Sequence, residues 1–431
     1  MAALTPSELL DLYHDLHRHP ELAFAEHRTA GIVAGLLRGH GFEVFEGIGG
    51  TGVVGVLGNG AGPRVLLRAD MDGLPVTERT GLDYASTDTA TTPEGVTSGV
   101  MHACGHDVHT ACLVAACAEL AARPEEWSGT LIACFQPAEE VGSGARAMLA
   151  DDLFDRIGGP PDIVLGQHVM PFPIGTVNLT AGTAMAAADS LRIVLHGRGG
   201  HGSSPEATVD PVVMASAVVM RLQGIVSREV GAMESAVVTV GALRAGTQAN
   251  IISDRAELLV NVRSFTADVR DRVLAAIHRV VEAECAASGA PAAPEFTSVA
   301  SFPLTSNDAD ACERTGAVLA EILEQQRTDI EATGGAPAVI SLPPLPGSED
   351  VGELATAAGV PLVYWNLGGA DPGAFAGMDL AAVTGMGSLP DGVAPNHSPH
   401  FAPVPQPTLD LGVALLVGAA LDRLAREEEG A

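Results

Sequence analysis

The stretch Arg64-Val65-Leu66-Leu67-Arg68-Ala69-Asp70-Met71-Asp72 passes from a short apolar run straight into two carboxylates. The same form recurs twice. Thr130-Leu131-Ile132-Ala133-Cys134-Phe135 runs into Gln136-Pro137-Ala138-Glu139-Glu140, and Asp162-Ile163-Val164-Leu165-Gly166 runs into Gln167-His168. Apolar runs this short, rich in β-branched residues, read as buried strands. Between the first two lies a helix, about Asp107 to Ala122, with Cys112, Leu113, Ala116, Cys117 and Leu120 at helical spacing. Strands alternating with helices predict an α/β fold with a mostly parallel sheet flanked by helices. In such sheets ligands bind beyond the carboxyl ends of the strands, which is where these carboxylates and His168 fall.

From about Asp189 the pattern changes. Leu191 to His196 reads as a strand, Asp210 to Val226 as a helix, and Ala236 to Val240 and Arg255 to Arg263 as two strands. Ala267 to Ala287 follows as a helix and Pro291 to Val299 as a last strand. The order βαββαβ describes a ferredoxin-like domain. The expected architecture is a discontinuous catalytic domain, residues 1–187 and 304–431, interrupted by an insert at 188–303. The chain closes with a helix from Pro407 to Arg426, and 286–294 and 334–346 read as surface loops.

Bulk properties narrow the function. The 431 residues carry a net charge of −30, which disfavours a nucleic-acid partner because phosphates would be repelled. The acid is dispersed apart from Glu427-Glu428-Glu429, and it reads as a solubility feature. Apolar runs are all shorter than the roughly 18 residues a membrane helix needs, so no membrane partner is expected. The start lacks the form of a secretory signal, and a cytoplasmic location is expected. All 23 basic residues are arginine. The absence of lysine excludes a Walker A loop, a Schiff-base enzyme and a Ser-x-x-Lys hydrolase. Six cysteines at these spacings suggest no disulfide framework. Cys112, Cys117, Cys134 and Cys285 sit in apolar contexts, Cys312 is uninformative, and Cys104 stands apart among histidines and glycines.

The densest polar cluster is Met101-His102-Ala103-Cys104-Gly105-His106-Asp107-Val108-His109. Thiolate and imidazole suit zinc and similar divalent metals. Glu139-Glu140 is the second element. Metal-assisted hydrolysis needs one carboxylate on the metal and another to take a proton from the attacking water, and adjacent glutamates can divide those roles. His168 alone reads more readily as a structural histidine. In Asn396-His397-Ser398-Pro399-His400, either histidine or neither is a ligand on the residues alone. Gly197-Arg198-Gly199-Gly200-His201-Gly202 matches the dinucleotide pattern G-x-G-x-x-G. It opens no first βαβ unit, however, and its helix begins late.

RADMDGLP (68–75), MHACGHDVHT (101–110), FQPAEE (135–140), GQHV (166–169), GRGGHGSSPE (197–206), NIIS with NVRSF (250–253, 261–265), GSED (347–350) and NHSPHF (396–401) occur in that order. Together they resemble the co-catalytic metallo-amidohydrolases related to carboxypeptidase G and aminoacylase, within them the N-acyl-amino-acid, hippurate and indole-acetyl-amino-acid hydrolases. The resemblance runs from about Leu16 to Phe401. It implies two divalent metals, zinc or manganese, with cobalt or nickel as further options. Cys104 would bridge, and His106, Glu140, His168 and His397 would complete the ligand set, with His400 outside it. Glu139 would be the general base, and Asp70 and Asp72 would orient ligands. The insert would serve as lid and homodimer surface. Its His201 would stabilise the oxyanion in a partner's site, and Asn250 and Arg263 would hold the substrate carboxylate. Taken without the resemblance, Arg263 reads as a charge at a strand edge. The sequence departs from the family pattern at Gly73, at Pro205-Glu206 and at Asn250-Ile251-Ile252-Ser253.

The expected activity is hydrolysis of an N-acyl amino acid through a water activated between the metals. The alternatives are a dinuclear-metal dipeptidase or carboxypeptidase and, in a different class, a two-lobed protein that binds a carboxylate without chemistry.

Overall fold

The computed structural model describes residues 2–93, 95–378 and 389–425. By its internal contacts the chain divides into two compact units. The first comprises Met1–Ala184, Ser306–Leu345 and Asp350–Ala431, and the second Met185–Thr305 with Pro346–Glu349.

The first unit is built on an eight-stranded sheet in the order Glu43–Ile48, Gly52–Asn59, Gly129–Gln136, Arg64–Asp70, Ile163–Pro173, Leu362–Ala370, Thr176–Asn178 and Ala338–Ile340. The four strands from Gly129–Gln136 to Leu362–Ala370 are parallel to one another. Antiparallel ladders flank them, so the sheet is parallel at its centre and mixed at its margins. Glu43–Ile48 and Gly52–Asn59 form a tight hairpin through Gly49 and Gly50, both at positive φ. The last edge strand, Ala338–Ile340, lies inside the segment expected to be a loop. It is too short to leave a pattern and is paired in parallel with Thr176–Asn178.

The register decides the site. Arg64–Asp70 pairs in parallel with Gly129–Gln136, Asp70 opposite Gln136, and on its other side with Ile163–Pro173, Arg68 opposite Gly166. Asp70, the Gln136–Glu140 turn and His168 therefore emerge at the same carboxyl edge. The helix His106–Ala122 is buried on nearly every face. It packs against that sheet, the first helix Pro6–Arg18 and the closing helix Pro405–Leu424. A helix apolar all round belongs to an interior, so its apolar stripe understated its burial. Arg426 and the terminal glutamates lie outside the described residues.

The second unit carries a four-stranded antiparallel sheet in the order Ala236–Ala245, Arg255–Ser264, Ala187–His196, Glu295–Phe302. Helices Pro211–Glu229 and Ala267–Ala287 pack on it through Met214, Val218, Leu222, Val273, Ile277 and Val281. Strand order and connectivity are ferredoxin-like. The final strand begins four residues later than expected, after a turn that absorbs Pro291. All six cysteines are free and buried.

Candidate metal centre

Helix His106–Ala122 starts abruptly because Gly105 takes φ +85. A side chain there would be strained, and its Cβ would lie 2.3 Å from Val169 Cγ1. That turn aims Cys104 and His106 toward the sheet edge. The Cys104 sulfur lies 3.4 Å from His168 Nε2. His168 Nδ1 donates to the Val169 carbonyl at 2.8 Å, which fixes the proton there and leaves the Nε2 lone pair toward the sulfur. Burial holds the His168 pKa well below the usual imidazole range, so the ring is neutral. Burial, aided by Glu140, pushes the Cys104 thiol up to about 12.

His106 is fully buried among carboxylates. Its Nε2 lies 3.6 Å from Asp70, 3.9 Å from Glu139 and 3.8 Å from Glu140, and its Nδ1 3.3 Å from Asp72. Neither nitrogen has a hydrogen bond of good geometry, and neither has Glu140 Oε1. Burial disfavours the charged ring, but Asp70 and Asp72 outweigh it and raise the His106 pKa well above the usual range. Burial pushes Glu140 up to about 8, with Asp72 and Asp70 adding to it. Four carboxylates around one imidazole leave negative charge in excess, which a cation relieves.

Asp72 organises the pair. Its Oδ1 accepts the Glu139 N–H and its Oδ2 the Glu140 N–H, each at 3.0 Å. The residue before them, Ala138, sits at φ +52, a conformation that costs an L-residue about 1–2 kcal/mol. His397 is likewise at φ +69, its N–H donated to Ala103 O at 2.7 Å and its Nε2 3.4 Å from Glu140 Oε2. Such strain gathers at functional sites.

Donor sets with atoms within 4.8 Å of one another include Cys104 with His106 and His168, Cys104 with Glu140 and His397, and His106 with Glu139 and Glu140. Cys104 belongs to two of them. Sulfur, imidazole and carboxylate donors with unpartnered buried atoms suit borderline-soft divalent cations, so the residues fit such a group. Asp70, His106 and His109 also cluster. His109 is already committed, however: Nδ1 faces Asp70 Oδ1 at 2.5 Å and Nε2 accepts the Val169 N–H at 2.8 Å. His102 is buried with both nitrogens unpartnered, and burial lowers its pKa to about 4. It joins no donor cluster among the described residues, and neither does His400.

Several residues of this region escaped the sequence reading. Arg68 is buried and reaches Asp70 Oδ2 (2.6 Å), Gln136 Oε1 (3.0 Å) and Asp350 Oδ1 (3.1 Å). His17 joins Asp107 (2.7 Å) to Glu78 (3.1 Å) behind the helix start. Glu26 contacts the Ala138 backbone. Arg68, Gln136, Asp107 and Asp350 lay in quoted motifs, but their pairing did not show in the sequence.

The residues expected to touch substrate from the insert lie in the second unit. The short strand Gly200–His201 pairs with Ile251–Ile252, and Gly202 N donates to Asn250 O at 2.9 Å. His201 Nδ1 accepts the Ser203 N–H at 3.2 Å, which leaves the proton on Nε2. Arg263 stands on an interior strand, opposite Ala188 and Val237, so the strand-edge reading fails. Its guanidinium donates to Pro346 O (2.5 Å) and Ser348 Oγ (3.1 Å). The glycine-rich segment is no nucleotide loop. A Cβ on Gly197 would meet Val209 O at 2.4 Å and one on Gly199 Ile252 O at 2.9 Å, so these glycines serve backbone packing.

Residues 66–422 match the model of the peptidase family M20/M25/M40. The chain belongs to this family. A hippurate hydrolase of Campylobacter jejuni is 39% identical over 80% of this chain and 86% of its own. An N-acetylcysteine deacetylase of Bacillus subtilis is 36% identical over 70% of this chain and 76% of its own. Among solved structures, the YXEP protein of Bacillus subtilis, described as a dinuclear metal-binding peptidase of the M20 family, superposes with a TM-score of 0.72. It is 28% identical, over 97% of this chain and 98% of that one. As an M20/M25/M40 member the chain is a metal-binding hydrolase, and its buried donor clusters could hold divalent cations. No helix among the described residues is long and apolar enough to cross a membrane.

Proposed function

We propose that this enzyme hydrolyses the amide bond of N-acyl amino acids, with Glu139 as general base. The observation that carries the reading is the shared hold of Asp72 on two successive amides. It presents both the Glu139 and the Glu140 carboxylates to the same buried centre. A site that only bound a ligand would have no use for the second. Relatives that act on a benzoylated and an acetylated amino acid supply the substrate class.

Cys104, His106, Glu140, His168 and His397 would hold two divalent cations, zinc or manganese, with Cys104 shared. The cations, when bound, would polarise the amide carbonyl and acidify water. Glu139 takes the proton from the attacking water and returns it to the leaving amine as the C–N bond breaks. Asp72 orients His106 and both glutamate amides, and Asp70 fixes His109. His201, with its Nε2 proton, is suited to donate to the oxyanion. Asn250 and the Arg263 fork are suited to the substrate carboxylate. The ferredoxin-like unit would form the homodimer contact. Its helix exposes Val213 and Met220, and its edge strand exposes Val237 and Leu243.

The test is a substrate panel on metal-loaded protein. Hippurate and other N-acyl amino acids should be cleaved and dipeptides with a free amino end should not. Turnover confined to dipeptides would favour a peptidase, and no turnover of either would overturn the reading.

A further inference from the structure

Glu26 is fully buried and takes no part in the chemistry described above. It occupies the N-cap position of helix His27–Gly39, yet its side chain makes no cap bond to that helix. Glu21 does that work, accepting the N–H groups of Arg28 (2.9 Å) and Thr29 (2.8 Å). The Glu26 carboxylate is instead turned across the fold. Oε1 accepts the N–H of Ala138 at 2.8 Å and of Phe24 at 3.0 Å, and Oε2 accepts the Thr51 hydroxyl.

Ala138 directly precedes Glu139 and holds a left-handed conformation that the chain does not adopt unaided. Its N–H goes to Glu26, and the next two N–H groups go to Asp72. Three consecutive amides are thus gripped by two buried carboxylates from distant parts of the sequence. Asp72 alone fixes the amides of the pair. Glu26 fixes the bend that leads into it, and so the direction in which the Glu139 side chain leaves the strand end. Burying an acid this deeply is unfavourable, and burial first, then Asp72, pushes its pKa up to about 7. A helix already capped by Glu21 does not need it there.

We propose that Glu26 is a positioning residue for the general base Glu139, acting through the Ala138 amide. The proposal rests on the reading of Glu139 as base. A misplacement of about 1 Å at a reacting group can cost on the order of a hundredfold in rate.

The experiment compares Glu26→Ala, Glu26→Gln and, as a milder variant, Thr51→Val. Glu26→Ala should lower kcat about tenfold to a hundredfold, with KM and the metal content per chain within about twofold of the parent. Glu26→Gln keeps an acceptor for the Ala138 amide and should restore most of kcat. Thr51→Val should fall between. In metal-free protein, hydrogen exchange of the 136–141 backbone should quicken in Glu26→Ala while helix His106–Ala122 keeps its protection. Unchanged exchange at 138–140 would overturn the proposal. So would a loss of kcat that tracks loss of metal or of folded protein, or one that Glu26→Gln fails to rescue. A parent enzyme inactive on N-acyl amino acids, with the exchange effect present, would instead overturn the amide-hydrolase reading and leave the clamp on Ala138 standing.

Discussion

The Nε2 atom of His168 lies 3.4 Å from the Cys104 sulfur, while its Nδ1 is tied to the Val169 carbonyl. The pair presents a lone pair and a thiol to one point. A thiol pushed up to about 12 by burial ionises only when a cation replaces its proton. Metal binding at neutral pH should therefore release a proton that Cys104→Ala does not release. That variant should lose more affinity than the roughly 10- to 100-fold typical of losing an outer-shell partner. Calorimetry in buffers of different ionisation enthalpy measures both.

His397 and His400 should separate cleanly. His397 Nε2 faces Glu140 at 3.4 Å, whereas His400 joins no donor cluster among the described residues. His397→Ala should lower metal content measured by atomic emission, and His400→Ala should leave it unchanged.

Arg68 joins Asp70 to Asp350 in the interior. Removing one partner of a buried ion pair strands the others, at a cost of about 3–5 kcal/mol. Arg68→Met should lower the denaturation midpoint of the metal-free protein by a corresponding amount. An unchanged midpoint would contradict a stabilising role for the Arg68 pairs with Asp70 and Asp350.

His17 supplies the pH dependence. Burial lowers its pKa, but the hydrogen bonds to Asp107 and Glu78 outweigh burial and raise it to about 9. An unfolded histidine titrates near 6.5. Because the folded value is the higher, the stabilisation is fully present below about pH 6.5 and is lost as pH rises through 9. The amount is on the order of 3 kcal/mol. Melting curves of metal-free protein should fall across that window, and His17→Gln should flatten the fall.

What the sequence revealed and what it hid have physical causes. The strands ending at Asp70 and Gln136, and the first half of the one that carries His168 and runs on to Pro173, were legible because a parallel strand buried on both faces is a continuous apolar run. The helix Ala267–Ala287 was legible end to end, with Thr266 capping it by accepting the Val269 N–H. Arg68, Glu26 and Glu78 were not legible. A lone charged residue reads as surface, and the groups that bury these three lie up to 282 positions away. The histidines of 102–109 were alike in sequence. Only the fold commits His109 to Asp70 and Val169 and leaves His106 facing the carboxylates. The strand Ala338–Ile340 was hidden because three residues carry no periodicity.

In the proposed reaction Glu139 moves the proton while its neighbour Glu140 serves the metal. Glu139→Gln tests it most directly. The substitution keeps the backbone N–H that Asp72 accepts and removes only the base. Metal content and hydrolysis of an N-acyl amino acid are measured on one sample. The variant should keep the parent's metal content and lose at least about 100-fold in kcat, within the range general-base catalysis contributes. Retained turnover, or a loss of activity explained by lost metal, would contradict that role for Glu139.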